Sequence, residues 1–455
     1  MSDRKLVLIV LSLFLLEIVA SFVFIAREKK IFEKKEKPTF ISYVGLWDPK
    51  IINPLKVEFQ RQHPNVTVEY EKKDPRLYYE TLKNLISSDK SPDIFWWHSG
   101  WGPLLKEHLA KLDEATLSTA DYERTYYPIT KADAKIGGFY RGIPLEIDGL
   151  ALIYNKKLFA EKKLVKPPKT WSELQRVYVP ALNKYDKKKG VLRSAIALGT
   201  ANNISNFSEI VGLLLFQNGV SFVKNADVNV NKSLAINKDN LGERAIEFYT
   251  SFIAGKSRVW DTTLPNSIRA FAKGKVAMII LPAYKLPSLQ TQVRAYGNKA
   301  KLGVAELPQP PNRTPVTWAS YWLSGVSLKS EHQKEAWEFI KFLSEPDNLR
   351  KIFKEEVKMR KVGRPYPRVD MNKELRKDPL LVPYISQAPY AKSFYLHPET
   401  FDKSLNDGMV GAATELVTRM VEGKGATKSN LKKFAEKSKE ILSRYGVLNP
   451  DIVER

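Results

Sequence analysis

Residues 138–174 constrain the fold more than any other part of this 455-residue chain. Within them, residues 143–154 are apolar and rich in residues that favour strands, so we predict a β-strand there. Glu146 and Asp148 are set two apart in this run, the spacing of one strand face. Because an unpaired carboxylate is costly in an apolar core, we expect both to lie at a strand end that faces water or a ligand.

The residues that follow predict two helices with a proline break between them. Asn155 is a suitable N-cap for a helix over residues 156–164, which must end before Pro167. Thr170 and Glu173 then have the spacing of a capping box and open another helix. The segment is therefore predicted to form a strand, a helix, a proline break and a second helix.

Strands and helices alternate through much of the remaining chain. We predict strands at residues 39–44, 66–70, 92–97, 276–279 and 302–308, with amphipathic helical segments between them. This order predicts βαβ units and mainly parallel sheets, and hence an α/β fold.

The ordered series of motifs resembles the bacterial extracellular solute-binding proteins of the maltose-binding type, the capture components of ABC importers. Residues 138–144 are similar to the family's Gly-x-Tyr-Gly-x-Pro turn, with one extra residue, Arg141. Residues 154–159 match its Tyr-Asn-Lys-x-Leu-Phe run, and residues 167–174 its Pro-Pro-x-Thr-Trp-x-Glu-Leu run. The match is long and ordered: its landmarks cover residues 39–346, and the last hundred residues match more loosely.

The resemblance implies a two-lobed, periplasmic-binding-protein-like fold of type II. Each lobe would be a sheet flanked by helices, with the ligand cleft between the lobes and a hinge that closes them. Residues 38–146 plus 304–345 would form the first lobe, and residues 147–303 plus 346–455 the second. Glu146 and Asp148 would then lie where the chain crosses between the lobes.

The first apolar run, residues 6–26, is long enough to span a bilayer as a helix. Glu17 within it costs about 3 kcal/mol on insertion scales, and the surrounding apolar residues recover about 5–10 kcal/mol. We therefore expect a signal anchor in the cell membrane, with residues 27–37 as a charged tether. The positive charge of the tether opposes an outside body under the positive-inside rule, but the resemblance favours a body outside the cell.

Composition narrows the possible functions. The chain carries a net charge of +23, but no nucleic-acid-binding motif accompanies the charge, so no nucleic-acid partner is expected. Cysteine is absent, which excludes disulfides and thiolate metal sites; no metal or cofactor is expected. Glu146 and Asp148 could form a glycosidase pair, yet glycosidase carboxylates flank the scissile bond rather than share one strand face, so no enzymatic activity is expected.

Ligands of open α/β sheets gather beyond the carboxyl ends of the strands, and this rule selects the candidate site. Aromatic rings and a few carboxylates at those ends suit a sugar, which offers C–H faces for stacking and hydroxyls for hydrogen bonds. The candidate ligand-binding residues are Trp47, Asp48, Trp97, Trp101, Glu146, Asp148, Tyr284, Trp318 and Trp322. In the family, the positions of Trp97, Asp148 and Tyr284 resemble a stacking tryptophan, a hydroxyl-binding acid and a stacking aromatic.

Structural roles remain open for each of these residues. Any one tryptophan could be a core residue, and adjacent Trp96 and Trp97 point to opposite faces of a strand, so one of them should be core. Asp48 could simply cap the following helix. His98 is more typical of a structural histidine, and Arg364 of a salt bridge.

The sequence is also compatible with two alternative hypotheses about function. The leading expectation is a monomeric, membrane-anchored binding protein that captures a sugar or oligosaccharide and delivers it to an ABC permease. The alternatives are a surface sensor or adhesion ectodomain on the same fold, and a carbohydrate-active enzyme.

Overall fold

The structure is a computed structural model that describes residues 14–23, 38–224, 227–228, 240–254, 258–298 and 300–448. Just over half of the predicted anchor and the whole of the predicted tether lie outside these residues. Residues 14–23 are helical with exposed side chains. Among the described residues, no helix combines the length and apolar character needed to cross a membrane.

Two five-stranded sheets organise the described part of the chain. We number their strands in chain order: β1 Thr39–Gly45, β2 Val66–Lys72, β3 Ile94–His98, β4 Ile143–Pro144, β5 Leu150–Asn155, β6 Lys184–Asp186, β7 Gly190–Ile196, β8 Val276–Pro282, β9 Leu302–Ala305 and β10 Trp322–Val326. Short two-stranded ladders join Lys135–Ile136 to Phe139–Tyr140, Val223–Lys224 to Asp227–Val228, and Thr317–Trp318 to Ala391–Lys392.

The first sheet has the order β2-β1-β3-β10-β4 and forms the first lobe. β1 is parallel to both β2 and β3, as the alternation of strands and helices predicts, whereas β10 is antiparallel to β3 and β4. The second sheet, in the second lobe, has the order β9-β5-β8-β7-β6. Only β7 and β8 are parallel neighbours in it, so the second lobe is a mixed sheet.

Helices cover the faces of both sheets. After the helical residues 14–23, the α-helices of the described residues are, in chain order, Pro49–Gln62, Tyr78–Ser87, Gly102–Leu105, Thr119–Thr125, Pro128–Ala134, Lys156–Glu161, Trp171–Glu173, Val179–Leu182, Phe207–Gln217, Leu241–Thr250, Ser267–Ala272, Leu286–Ala295, Gln333–Ser344, Pro346–Arg360, Val382–Gln387, Leu405–Val421 and Thr427–Arg444. A π-helical segment, Leu174–Tyr178, joins two of them.

The predicted caps are present in the structure. Asp48 accepts a hydrogen bond from the backbone N–H of Lys50, and Asn155 accepts from Lys157 and Leu158. Thr170 accepts from the N–H of Glu173 at 3.1 Å, the first half of the predicted capping box. These bonds satisfy N–H groups that a helix leaves unpaired at its start.

The predicted single strand over residues 143–154 is two strands in two different sheets. β4 belongs to the first sheet and β5 to the second, so residues 145–149 carry the chain from one lobe to the other. A crossing needs a break in the strand, because a continuous strand cannot pair in two separate sheets. Glu146 and Asp148 lie in this crossing segment.

The chain returns to the first lobe later than residue 304, the boundary drawn from the resemblance. Val304 pairs with Ile153 in the second sheet, and the next strand of the first sheet is β10. The helix Pro346–Arg360, assigned to the second lobe, packs against Pro49–Gln62 of the first lobe. Lys351 Nζ lies 2.5 Å from Glu58 Oε2 across that contact.

The last two helices belong to the second lobe. Leu405–Val421 and Thr427–Arg444 pack against each other, and both contact Leu241–Thr250. Their apolar faces bury Leu416, Val417 and Phe434. The described chain after Leu405 therefore packs against the helix Leu241–Thr250.

Candidate functional site

A cavity of about 210 Å³ lies between the two lobes. The crossing segment, the carboxyl ends of β3 and β8, and loops of the second lobe form its wall. It is lined by Leu46, Pro75, His98, Glu146, Asp148, Asn206, Glu209, Tyr284, Ser320, Trp322, Arg364, His397, Pro398, Glu399, Thr400 and Phe401.

His98 and Trp322 form the wall on the side of the first lobe. They are paired residues, the last of β3 and the first of β10. His98 Nδ1 accepts a hydrogen bond from the N–H of Gly100 at 3.1 Å, and its Nε2 lies 3.2 Å from Ser320 Oγ. Burial holds the pKa of His98 well below its usual value, so the ring is neutral at pH 7. The ring of Trp322 meets that of His98 edge-on at 5.2 Å.

Asp148 ties the crossing segment to the end of β8. Its Oδ1 accepts hydrogen bonds from the N–H groups of Gly149 and Ala283, at 2.7 and 2.8 Å, and its Oδ2 accepts from Tyr284 at 2.8 Å. Burial raises the pKa of Asp148 to about 7, although these three backbone donors lower it. The carboxylate lines the cavity and at the same time fixes the backbone that presents Tyr284.

The raised pKa of Asp148 predicts a specific pH dependence of stability. A carboxyl that holds its proton more tightly in the folded state stabilises that state most below the unfolded pKa, near 4, and loses this contribution as pH rises towards 7. We expect the free energy of unfolding of the wild type, minus that of Asp148→Asn, to fall between pH 4 and 7. Urea unfolding at intervals across that range measures it, and a difference that stays constant or grows with pH would contradict the expectation.

Glu146 belongs to a cluster of alternating charge, the hinge cluster, which consists of Glu146, Glu356, Arg360 and Arg364. Its two carboxylates are buried and its two guanidinium groups are partly exposed. Arg364 Nη1 lies 2.7 Å from Glu146 Oε2 and 3.3 Å from Glu356 Oε1, and Arg360 Nη1 lies 3.2 Å from Glu356 Oε1. Arg360 also donates to the carbonyl of Tyr284 at 3.0 Å. Burial raises the pKa of Glu146, and the charge of Arg364 opposes that shift. The cluster therefore joins the crossing segment to both lobes.

A second polar network forms the wall on the side of the second lobe. His397 Nδ1 lies 3.0 Å from Glu209 Oε1, and Asn206 Nδ2 donates to Glu209 Oε2 at 2.6 Å. Lys285 Nζ donates to Asn206 Oδ1 at 2.9 Å and also forms an ion pair with Glu399. The phenol of Tyr284 donates to Glu399 Oε2 at 2.5 Å.

Of the nine residues predicted to bind ligand, four line this cavity. They are Glu146, Asp148, Tyr284 and Trp322. The other five lie elsewhere, and each has a packing or capping role in the structure.

Trp97 and Trp101 are buried in the first lobe. The backbone of Gly142 and Gly325 packs on the ring of Trp97, where an added Cβ would come within 2.8 and 2.9 Å of it. Trp101 lies behind Trp322, whose ring it meets edge-on at 5.0 Å. Neither ring reaches the cavity, because each fills a space between strands and helices of its own lobe.

Trp47, Asp48 and Trp318 also lie away from the cavity. Trp47 is 2 % exposed and packs edge-on against Trp96. Asp48 caps the helix Pro49–Gln62 and lies 3.8 Å from Lys72 Nζ. Trp318 is fully buried in the second lobe, against the backbone of Gly212.

The cavity also contains residues that the sequence did not single out as ligand contacts: Asn206, Glu209, His397, Glu399 and Phe401. They come from two segments far apart in the chain, the start of the helix Phe207–Gln217 and the loop that contains His397; Glu209 and His397 are 188 residues apart. No strand-end rule or short motif marks them. Arg364, interpreted from the sequence as a salt-bridge residue, is both a salt-bridge partner and a cavity residue.

Comparison with solved structures supports the two-lobed fold. The cyclic α-maltosyl-1,6-maltose binding protein of Arthrobacter globiformis has a TM-score of 0.71 at 18% identity, over 90% of this chain and 100% of that one. The sugar-binding protein of Xanthomonas citri gives 0.70 at 20% identity, over 89% and 98%. A solute-binding protein of Thermotoga lettingae, solved with α-D-tagatose, gives 0.64 at 20% identity, over 90% and 100%.

Comparison of sequences identifies the family. The maltotriose-binding protein of Pyrococcus abyssi is 29% identical over 144 residues, which are 31% of this chain and 30% of that protein, so the match spans under a third of either. The profile of the family described as bacterial extracellular solute-binding protein matches residues 55–380, most of the body. The chain therefore belongs to the bacterial extracellular solute-binding proteins.

Proposed function

We propose that the chain captures a sugar outside the cell by closing its two lobes over it, and that it delivers the sugar to an ABC permease. The observation that carries this proposal is the cavity between the lobes, whose wall comes from both of them. A molecule bound there contacts both lobes at once. It therefore stabilises the closed state relative to the open one, and the permease can respond to closure.

The lining of the cavity supports a polar ligand with apolar faces. Trp322, Tyr284 and Phe401 offer rings, and the remaining wall is rich in carboxylates, amides and imidazoles. At about 210 Å³ the cavity is smaller than the ~300–1,000 Å³ of pockets that hold drug-sized ligands. In this closed arrangement we propose that it holds one or two sugar units rather than a long chain.

Binding without catalysis is the role we propose for the acids at the crossing. The oxygens of Asp148 accept three backbone hydrogen bonds, and Glu146 is paired with Arg364. A general acid or nucleophile must be free to meet the substrate. Because Asp148 and Glu146 already have these partners, we propose that they hold the hinge and the cavity wall in place instead.

For the first residues we propose a membrane anchor. Residues 6–26 are strongly apolar, and the part of them that the structure describes, residues 14–23, is helical with exposed Leu15, Leu16 and Phe22. Such a surface suits lipid contact. Residues 27–37 would then tether a monomeric body at the outer face, within reach of the permease.

A thermal-shift experiment tests the sugar proposal. The full chain in detergent is heated with α-D-tagatose, maltose or maltotriose, and with a peptide mixture and a sugar phosphate for comparison. A ligand present at 100 times its dissociation constant adds about 2.7 kcal/mol to the free energy of unfolding, so its melting temperature rises clearly. If the peptides or the phosphate stabilise the protein and none of the sugars does, the proposal is contradicted.

Gly100 offers a test of lobe closure that removes no side chain from the cavity lining. An added Cβ there would lie 2.8 Å from Asn406 Oδ1 and from His397 Cδ2, both in the second lobe. We therefore expect Gly100→Ala to hinder closure and to weaken sugar affinity about tenfold or more, with little change in the melting temperature of the unliganded protein. Calorimetric titration with the sugar that gives the largest thermal shift measures the affinity.

Gly411→Ala is the matched control for this substitution. Gly411 lies in the helix Leu405–Val421, and a Cβ added there meets nothing within 4 Å. This variant should bind as the wild type does. Equal affinities of Gly100→Ala and Gly411→Ala would show that closure does not bring Gly100 against the second lobe.

A further inference from the structure

His397 is a buried imidazole in the wall of the cavity. It is 1 % exposed, it comes from the second lobe, and its ring meets that of His98 of the first lobe at 4.6 Å. The ring of Trp318 packs on it at 5.7 Å. With neighbours from both lobes, the ring has one fixed orientation in the closed protein.

Glu209 determines which nitrogen of His397 carries hydrogen. Glu209 Oε1 lies 3.0 Å from Nδ1, and Glu209 is held in turn by Asn206, which donates to its other oxygen at 2.6 Å. An ionised carboxylate can only accept hydrogen bonds. Nδ1 must therefore carry the hydrogen, and in the neutral ring Nε2 is left as an acceptor.

Nε2 of His397 has no hydrogen-bond partner among the residues that the structure describes, and it is buried. Buried polar atoms almost always have a hydrogen-bond partner. We therefore expect this nitrogen in the cavity wall to pair with a molecule that enters the cavity. A ligand hydroxyl supplies the donor that this nitrogen lacks. The imidazole thus combines a fixed tautomer, a fixed orientation and an unused acceptor.

We infer that His397 is a ligand-binding residue whose Nε2 accepts a hydrogen bond from a hydroxyl of the bound sugar, and that Glu209 is the positioning residue that holds this tautomer. The inference deepens the proposed function and rests on it. An Nε2 atom without hydrogen would favour neutral ligands that place a hydroxyl against it. A ligand that places only an acceptor there would leave both acceptors unpaired in a buried site.

The test uses the full chain with α-D-tagatose, maltose and maltotriose as probes. Affinities are measured by calorimetric titration for the wild type, His397→Ala, Glu209→Gln and the control His332→Ala, which alters a histidine outside the cavity. We expect His397→Ala to weaken the tightest-binding sugar about tenfold and His332→Ala to leave it within twofold. Melting temperatures of the unliganded variants separate lost binding from lost folding.

Nitrogen-15 NMR of the histidine rings gives a readout that a purely structural role would not change. In the wild type, His397 should show hydrogen on Nδ1 and a bare Nε2, and the Nε2 resonance should shift when the sugar is added. In Glu209→Gln, the amide can donate to Nδ1, so we expect hydrogen to move to Nε2 and affinity to fall with it. This measurement remains decisive if His397→Ala fails to fold.

Three outcomes would overturn the inference, and they differ in what else they contradict. If a sugar binds the wild type and His397→Ala equally, or leaves the Nε2 resonance of His397 unchanged, the inference is wrong while the proposed function stands. If Glu209→Gln keeps both the tautomer and the affinity, the positioning role is wrong. If none of the three sugars binds the wild type, the proposed function fails and the inference falls with it.

Discussion

Replacing Arg364 by methionine is expected to lower the free energy of unfolding by about 3–5 kcal/mol. Arg364 lies between two carboxylates that are almost fully buried, Glu146 and Glu356, at 2.7 and 3.3 Å. Methionine fills much of the same volume but leaves Glu146 without its ion-pair partner, while Glu356 keeps only Arg360 at 3.2 Å. An uncompensated buried charge is far more costly than the net gain from a paired one. Urea unfolding at pH 7 measures the difference.

Arg350→Met is the matched control for Arg364→Met. Arg350 also has two acidic partners, Asp347 and Glu374, but its side chain is 45% exposed. Solvent-exposed ion pairs contribute little to stability because water screens them, so this variant should lose far less than Arg364→Met. A similar loss in both variants would show that burial of the hinge cluster does not govern its energetics. Partial recovery in Glu146→Gln/Arg364→Met would support the charge argument directly.

Replacing Trp97 by alanine is expected to destabilise the protein by about 3–5 kcal/mol, the range for a large aromatic removed from a core. Its ring is fully buried in the interior of the first lobe, where it packs against the backbone of Gly142 and Gly325. Thermal and urea unfolding of the unliganded protein measure the loss. The expected defect is in folding, because the ring does not reach the cavity.

Trp322→Ala provides the contrasting variant for Trp97→Ala. Trp322 lines the cavity and is only half-buried, so its removal should cost less stability and weaken sugar binding by about 10- to 100-fold. The pair of variants distinguishes a core tryptophan from a ligand-contact tryptophan. If Trp97→Ala folds with normal stability and loses sugar binding, the predicted stacking role of Trp97 is right and the core assignment is wrong.

Local chemistry made much of the fold predictable from sequence. Asn155 and Thr170 cap helices as predicted because their cap bonds involve neighbours within three residues. The parallel pairing of β1 with β2 and β3 follows from the alternation of strands and helices. The break in the predicted strand over residues 143–154 could not be predicted from the neighbouring residues. An apolar run looks the same whether it pairs in one sheet or in two.

The candidate site was less predictable, for two physical reasons. Tryptophan after a strand can fill either a core or a cleft, and only three-dimensional packing separates Trp97 from Trp322. The dyad of Glu209 and His397 joins residues 188 positions apart, so no local spacing could reveal it. Glu146 and Asp148 could be singled out from the sequence because a carboxylate in an apolar run needs a compensating partner wherever it lies.

Lobe closure on a sugar is the central claim, and a distance between the lobes measures it directly. Because the chain has no cysteine, Lys83→Cys in the first lobe and Lys428→Cys in the second introduce two unique, exposed sites for spin labels. Pulsed electron resonance then records the distance between the labels with and without the tightest-binding sugar. We predict one shorter and narrower distance distribution when the sugar is bound. The same distribution with and without a sugar that binds at the cavity would contradict the account.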